Sequence, residues 1–130
     1  MKSKLFRNKT ILLIEDEMPT LEILYDRFTK EGFKVLKARD GENGLELALK
    51  EHPDLILLDI ILPKVDGIEI IRKLRADNWG KDALVIVLTN LSDIRTAADA
   101  LENGVYSFIV KSSWKLEDLV EKVKEKLKLR

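Results

Sequence analysis

Apolar and polar positions alternate along this chain in two rhythms. Short, nearly unbroken apolar runs occur at Ile11–Ile14, Val35–Ala38, Leu55–Leu58, Leu84–Leu88 and Tyr106–Val110. Dense Ile/Leu/Val runs of this length suit strands buried on both faces of a parallel sheet. The Val35 run, Val-Leu-Lys-Ala, is more polar and predicts an edge strand. These predicted strands are β1 to β5 in chain order.

The stretches between them carry a helical period. Leu21, Leu24, Tyr25 and Phe28 share one face, with Pro19 near the start and Gly32 as a stop, and define α1. Leu45, Ala48 and Leu49 follow Asp40, a cap residue, and define α2. Ile68, Ile71 and Leu74 follow Asp66-Gly67 and define α3. Ile94, Ala97, Ala98 and Leu101 lie between Ser92 and Gly104 and define α4. Leu116, Leu119, Val120, Val123 and Leu127 define α5. Strands alternating with helices imply right-handed crossovers and a doubly wound α/β sheet of five parallel strands.

The chain's 130 residues fit one domain with a substantial core. Lys+Arg and Asp+Glu are equal at 23 each, which argues against broad electrostatic binding to nucleic acid or an anionic membrane. With no cysteine and one histidine, His52, thiolate chemistry and multi-histidine metal sites are excluded. The apolar runs are too short to span a bilayer, and the basic segment Met1–Thr10 has no signal-like apolar core, so a cytoplasmic location is expected. His52 is expected in a helix-to-strand loop, and Trp79 as half-buried cover. Trp114 is expected to pack ahead of α5, and the lysines late in α5 to suit the negative end of that helix.

The strand ends carry the chemistry. β1 runs into Glu15-Asp16-Glu17, β3 into Asp59, β4 into Thr89 and β5 into Lys111. Open parallel sheets build their sites at the carboxyl ends of the strands, near the point where strand order reverses. Crowded carboxylates repel, and a hard divalent cation with oxygen ligands relieves that repulsion. Asp16 and Asp59 are the expected direct ligands of Mg²⁺ (or Mn²⁺), with Glu15 acting through water. Asp59 also has the character of a nucleophile toward phosphorus. Thr89 offers a hydroxyl donor and Lys111 a point charge for the phosphoryl oxygens.

Glu15-Asp16, Asp59, Pro63, Asp66-Gly67, Thr89 and Lys111, in this order on a five-fold strand–helix alternation, resemble the receiver domain of two-component response regulators. The likeness covers about residues 9 to 128 and implies a flavodoxin-like sheet of order 2-1-3-4-5. It implies that Asp59 accepts a phosphoryl group from a sensor histidine kinase or phosphotransfer protein. Asp16, Asp59 and the backbone carbonyl of Ile61 would bind Mg²⁺, and Glu15 would hold a metal-bound water. Lys111 would contact the phosphoryl group, Thr89 would move toward it, and Phe108 would follow. The α4-β5-α5 surface would then change its affinity for a downstream protein or a fused output domain.

The chain departs from the family's usual pattern in three ways. Ser112 follows Lys111 where a proline is usual, and Phe108 lacks a tyrosine's hydroxyl. Ile61 and Leu91, two residues beyond Asp59 and Thr89, are apolar where the family controls water access, so the phosphoryl group is expected to be shielded and slow to hydrolyse. Ile61 also argues against a dehalogenase-like phosphatase, which needs a general acid two residues after its nucleophile. The acidic Glu15–Pro19 segment argues against a flavin-type phosphate loop. The alternative is a phosphorylation-independent interaction module with a degenerate site. Residues 1–130 read as one receiver domain, with no output domain after α5, no enzymatic turnover, no direct nucleic-acid contact and no membrane contact.

Overall fold

The computed structural model describes residues 8–59, 62, 67–89, 102, 107–110 and 115–128. Five parallel strands form one sheet in the order β2-β1-β3-β4-β5. They are β1 (Thr10–Ile14), β2 (Lys34–Ala38), β3 (Leu55–Asp59), β4 (Val85–Thr89) and β5 (Ser107–Val110). The helices are α1 (Met18–Lys30), α2 (Gly41–Glu51), α3 (Gly67–Arg75) and α5 (Leu116–Lys128), with a 3₁₀ turn at Gly80–Asp82. The expected α4 lies outside the described residues apart from Glu102, which is helical.

Alternation within the apolar runs divides the core in two. Leu12, Ile14, Ile56, Leu58, Val85 and Val87 face one side, where they pack with Ala48 of α2 and with Ile70, Ile71 and Leu74 of α3. Ile11, Leu13, Leu55, Leu57, Ile86 and Leu88 face the other, where they meet Leu21, Leu24 and Phe28 of α1 and Leu119, Val120, Val123 and Leu127 of α5. Every residue of β3 is buried, as a central strand covered on both faces requires. β2 is half-exposed along most of its length, which matches its place at the sheet edge.

Local signals end the helices where the sequence suggests. Asp40 caps α2, its Oδ1 accepting the Asn43 N–H at 2.8 Å. Gly32 takes a left-handed φ of 104° just beyond α1, a conformation a β-carbon disfavours. Gly44 matters for its lack of bulk. A Cβ there would lie 2.6 Å from Cδ1 of Ile14, so the bare backbone lets α2 sit against β1. His52, at the end of α2, stacks on half-buried Trp79 with ring centroids 4.5 Å apart. Asp54 then anchors the amino end of β1, its Oδ2 accepting the Thr10 N–H at 2.7 Å.

Candidate metal and phosphoryl site

The sheet order places β1 beside β3 while β2 lies on the other flank of β1, so the strand order reverses between β1 and β3. The β1–β3 register ends with Ile14 opposite Leu58, and the next residues in that register are Glu15 and Asp59. Sheet pairing alone thus makes neighbours of two carboxylates 44 positions apart in the chain. Both are enclosed, at 1% exposure for Glu15 and 5% for Asp59. Glu15 is held further by its own N–H, which donates to Ala38 O at 3.0 Å.

A third carboxylate joins them. Glu15, Glu17 and Asp59 offer carboxylate oxygens that all lie within 4.8 Å of one another. The backbone N–H of Glu17 donates to Oε1 of Glu15 at 3.2 Å. Glu17 precedes α1 with extended backbone, φ −82° and ψ 111°, and its side chain makes no capping hydrogen bond to the helix. The chain bends at Asp16, and beyond the bend Glu17 lies beside Glu15. Asp16 is half-buried and lies outside the trio; its carbonyl oxygen accepts from Nη2 of Arg39 at 3.4 Å. The charge pattern of Glu15-Asp16-Glu17 marks all three acids without ranking them.

The remaining expected residues arrive in part. Thr89 ends β4, paired with Val110 in β5, and Val87 is paired with Phe108. Asp59 pairs with Leu88, so the Thr89 backbone lies one residue beyond it on the adjacent strand. The side chains of Thr89 and Phe108, together with Ile61, Pro63, Asp66, Leu91, Lys111, Ser112 and Trp114, lie outside the described residues. A trio of close carboxylates, two of them buried, fits a hard divalent cation and repels an anion that arrives without one.

The family model for the response regulator receiver domain matches residues 11–124. The chain belongs to the response regulator receiver family. It is 38% identical over 105 residues to the probable transcriptional regulator ycf27 of Porphyridium aerugineum, covering 81% of this chain and 42% of that protein. It is 34% identical over 114 residues to the response regulator ArlR of Staphylococcus aureus, covering 88% of this chain and 50% of that protein. The receiver chain therefore spans about half or less of the length of these curated relatives. Among solved structures, a CheY-like receiver domain protein from Methanospirillum hungatei superposes with a TM-score of 0.85 at 29% identity, over 93% of this chain and 94% of that one. The receiver domain of sensor histidine kinase PA1611 from Pseudomonas aeruginosa, solved with a magnesium ion coordinated in its active site cleft, superposes at 0.83 with 25% identity, over 92% and 98%. A receiver is a signalling module under phosphorylation control, and a metabolic enzyme is a different thing. Among the described residues no helix is long and apolar enough to cross a membrane.

Proposed function

We propose that Asp59 is the phosphoacceptor of this receiver and that its partner upstream is a sensor histidine kinase or phosphotransfer protein. One observation carries the reading: the enclosed Asp59 carboxylate stands at the switch point of the sheet, in register with Glu15. An Asp59 carboxylate oxygen attacks the phosphorus of a phosphohistidine. The new O–P bond makes an acyl phosphate as the P–N bond breaks, and the leaving imidazole nitrogen takes up a proton. Glu15, Asp16, Asp59 and the backbone carbonyl of Ile61 are the residues that would hold Mg²⁺ or Mn²⁺. A cation bound there offsets repulsion among the carboxylates and screens charge gathering on the phosphoryl oxygens.

Lys111 supplies an ammonium to one phosphoryl oxygen and Thr89 a hydroxyl donor to another. As Thr89 moves, Phe108 on the adjacent strand follows, and the α4-β5-α5 surface changes its fit to a downstream protein or fused output domain. Residues 1–130 act as one receiver domain in the cytoplasm. The equal totals of acidic and basic residues support a domain that leaves nucleic-acid contact to its partner or output segment.

The test is incubation with Mg²⁺ and acetyl phosphate followed by intact mass. A single phosphoryl adduct is expected in the wild type and none in Asp59→Asn; no adduct in the wild type, or equal adducts in both, would sink the reading. A fluoroberyllate complex should shift amide signals in α4, β5 and α5. Unchanged signals there would remove the switching step alone.

A further inference from the structure

One flank of the sheet is open. β2 pairs with β1 on one side and with no other strand among the described residues. The Lys34 N–H donates to Lys9 O and the Ala38 carbonyl accepts from the Glu15 N–H, so Lys34, Leu36 and Ala38 turn their backbone polar groups toward β1. Alternate residues of a strand point those groups in opposite directions, which turns the N–H and C=O of Val35 and Lys37 outward. A cavity of about 480 Å³ lies beside this flank, within the size range of ligand sites. Lys37 and Arg39 line it from the strand, and Asn43, Glu46, Leu47 and Lys50 line it from α2. Arg39 and Lys50 are exposed, and Glu46 is the single acid of the lining. The Lys37 ammonium turns to the other face of β2, where it sits over the Tyr25 ring of α1, 4.1 Å from its centroid.

We propose that this flank docks an extended acidic segment of a partner protein, which adds a strand beside β2 and sets a side chain into the cavity. The outward groups of Val35 and Lys37 supply the ladder, and the cavity supplies selectivity, as in strand addition to other open sheet edges. Charge selects the occupant. Lysines on an edge strand deter pairing between identical copies, because two β2 strands side by side would bring their Lys34 and Lys37 side chains together. The same ammonium groups attract glutamate and aspartate on an incoming strand. Acids on its α1 face meet Lys37, and acids on its α2 face meet Lys50. Half-buried Leu47 gives the cavity wall an apolar part. β2 lies on the opposite flank of β1 from β3 and Asp59, so the docking needs neither cation nor phosphoryl group and is independent of the proposed function.

The experiment titrates the folded chain, in EDTA, with a short capped peptide that alternates glutamate and valine, and with its lysine–valine counterpart, followed by amide chemical shifts. The variants are Lys50→Glu, Lys37→Pro and Lys81→Glu. Lys81 is exposed in the 3₁₀ turn, outside the cavity, and reports the general effect of reversing one charge. The glutamate peptide should shift the amides of Val35, Lys37 and α2 from Asn43 to Lys50 saturably, and the lysine peptide should not. Lys50→Glu should weaken the glutamate peptide at least about tenfold, because like charges then face each other. Lys37→Pro removes an outward N–H where an edge strand tolerates proline, and should weaken it as much. Lys81→Glu should bind as the wild type does. No saturable shift with the glutamate peptide, equal binding of the lysine peptide, equal losses in Lys50→Glu and Lys81→Glu, or undiminished binding by a folded Lys37→Pro each overturns the proposal. Shifts in β2 that grow with protein concentration in the absence of peptide would make a second copy the occupant and overturn it as well. Superimposable spectra of the free proteins away from the substituted residues would show that the fold is shared.

Discussion

Helix α1 joins two regions that handle charge in opposite ways. Before its first turn, Glu17 joins Glu15 and Asp59 in a cluster of like charges. At its other end, opposite charges are matched across the seam with α5. Arg27 donates from Nη1 and Nη2 to the two oxygens of Glu117 at 2.6 and 2.8 Å, and from Nε to Glu31 at 3.0 Å. Lys124 in α5 donates to the other oxygen of Glu31. Those contacts hold Glu31 below the usual carboxylate range, first through Lys124, and Glu117 below it through Arg27. Where charge serves the fold it is neutralised within the chain. At the sheet edge three acids are gathered instead, an arrangement that a divalent cation would compensate.

The largest effect that tests this contrast is all-or-none. Asp59→Asn should abolish the phosphoryl adduct seen by intact mass and remove saturable Mg²⁺ binding. Next comes the packing that supports the acidic edge. Gly44→Ala forces a methyl into Ile14, the residue before Glu15, and should cost about 1–3 kcal/mol in urea unfolding. A cost near zero would mean that α2 moves aside freely. Asp59→Asn should then show a second, opposite effect in EDTA. With one charge of the cluster gone, metal-free stability should rise by about 1 kcal/mol. A fall in metal-free stability would show that the cluster is structural and would erase the contrast with the seam.

The seam should respond more weakly. Glu31→Gln removes the acceptor shared by Arg27 and Lys124, and its partly exposed pair should lose no more than about 1 kcal/mol, less at high salt. Its pH signature has a definite sign. Glu31 and Glu117 titrate below their ordinary value of 4.5 in the folded state. Their contribution is therefore complete above that value and is lost as pH falls through the lower folded values. The difference in stability between wild type and Glu31→Gln should narrow over that acid range. A constant difference from neutral pH to below about pH 4 would count against the pairing.

Much of the fold was legible in the order of residues. Unbroken apolar runs in β1, β3 and β4 required cover on both faces, and the structure buries them on both. Asp40 and Gly32 marked helix boundaries through backbone chemistry that acts within a few residues. Legibility was less complete at the site. Glu15 and Asp59 could be read as strand-end acids, and their family resemblance named their roles. Glu17 escapes such a reading because its place depends on how the chain turns between β1 and α1. The links from Arg27 to Glu117 and from Lys124 to Glu31 join residues 90 and 93 positions apart, and no local pattern pairs them.

The sequence by itself determined which segments are strands and helices, which faces they bury, and that polar residues stand at the strand ends. Those properties follow from side-chain period and backbone preference, which act over a few residues. Only the tertiary structure decided which strand ends adjoin. The β1–β3 register sets Glu15 beside Asp59, the turn into α1 brings Glu17 to them, and the α1–α5 seam gives Arg27 and Glu31 their partners. Those neighbours are fixed by crossover connections and lateral hydrogen-bond register. Both are properties of the assembled sheet, and no single segment of the chain contains them.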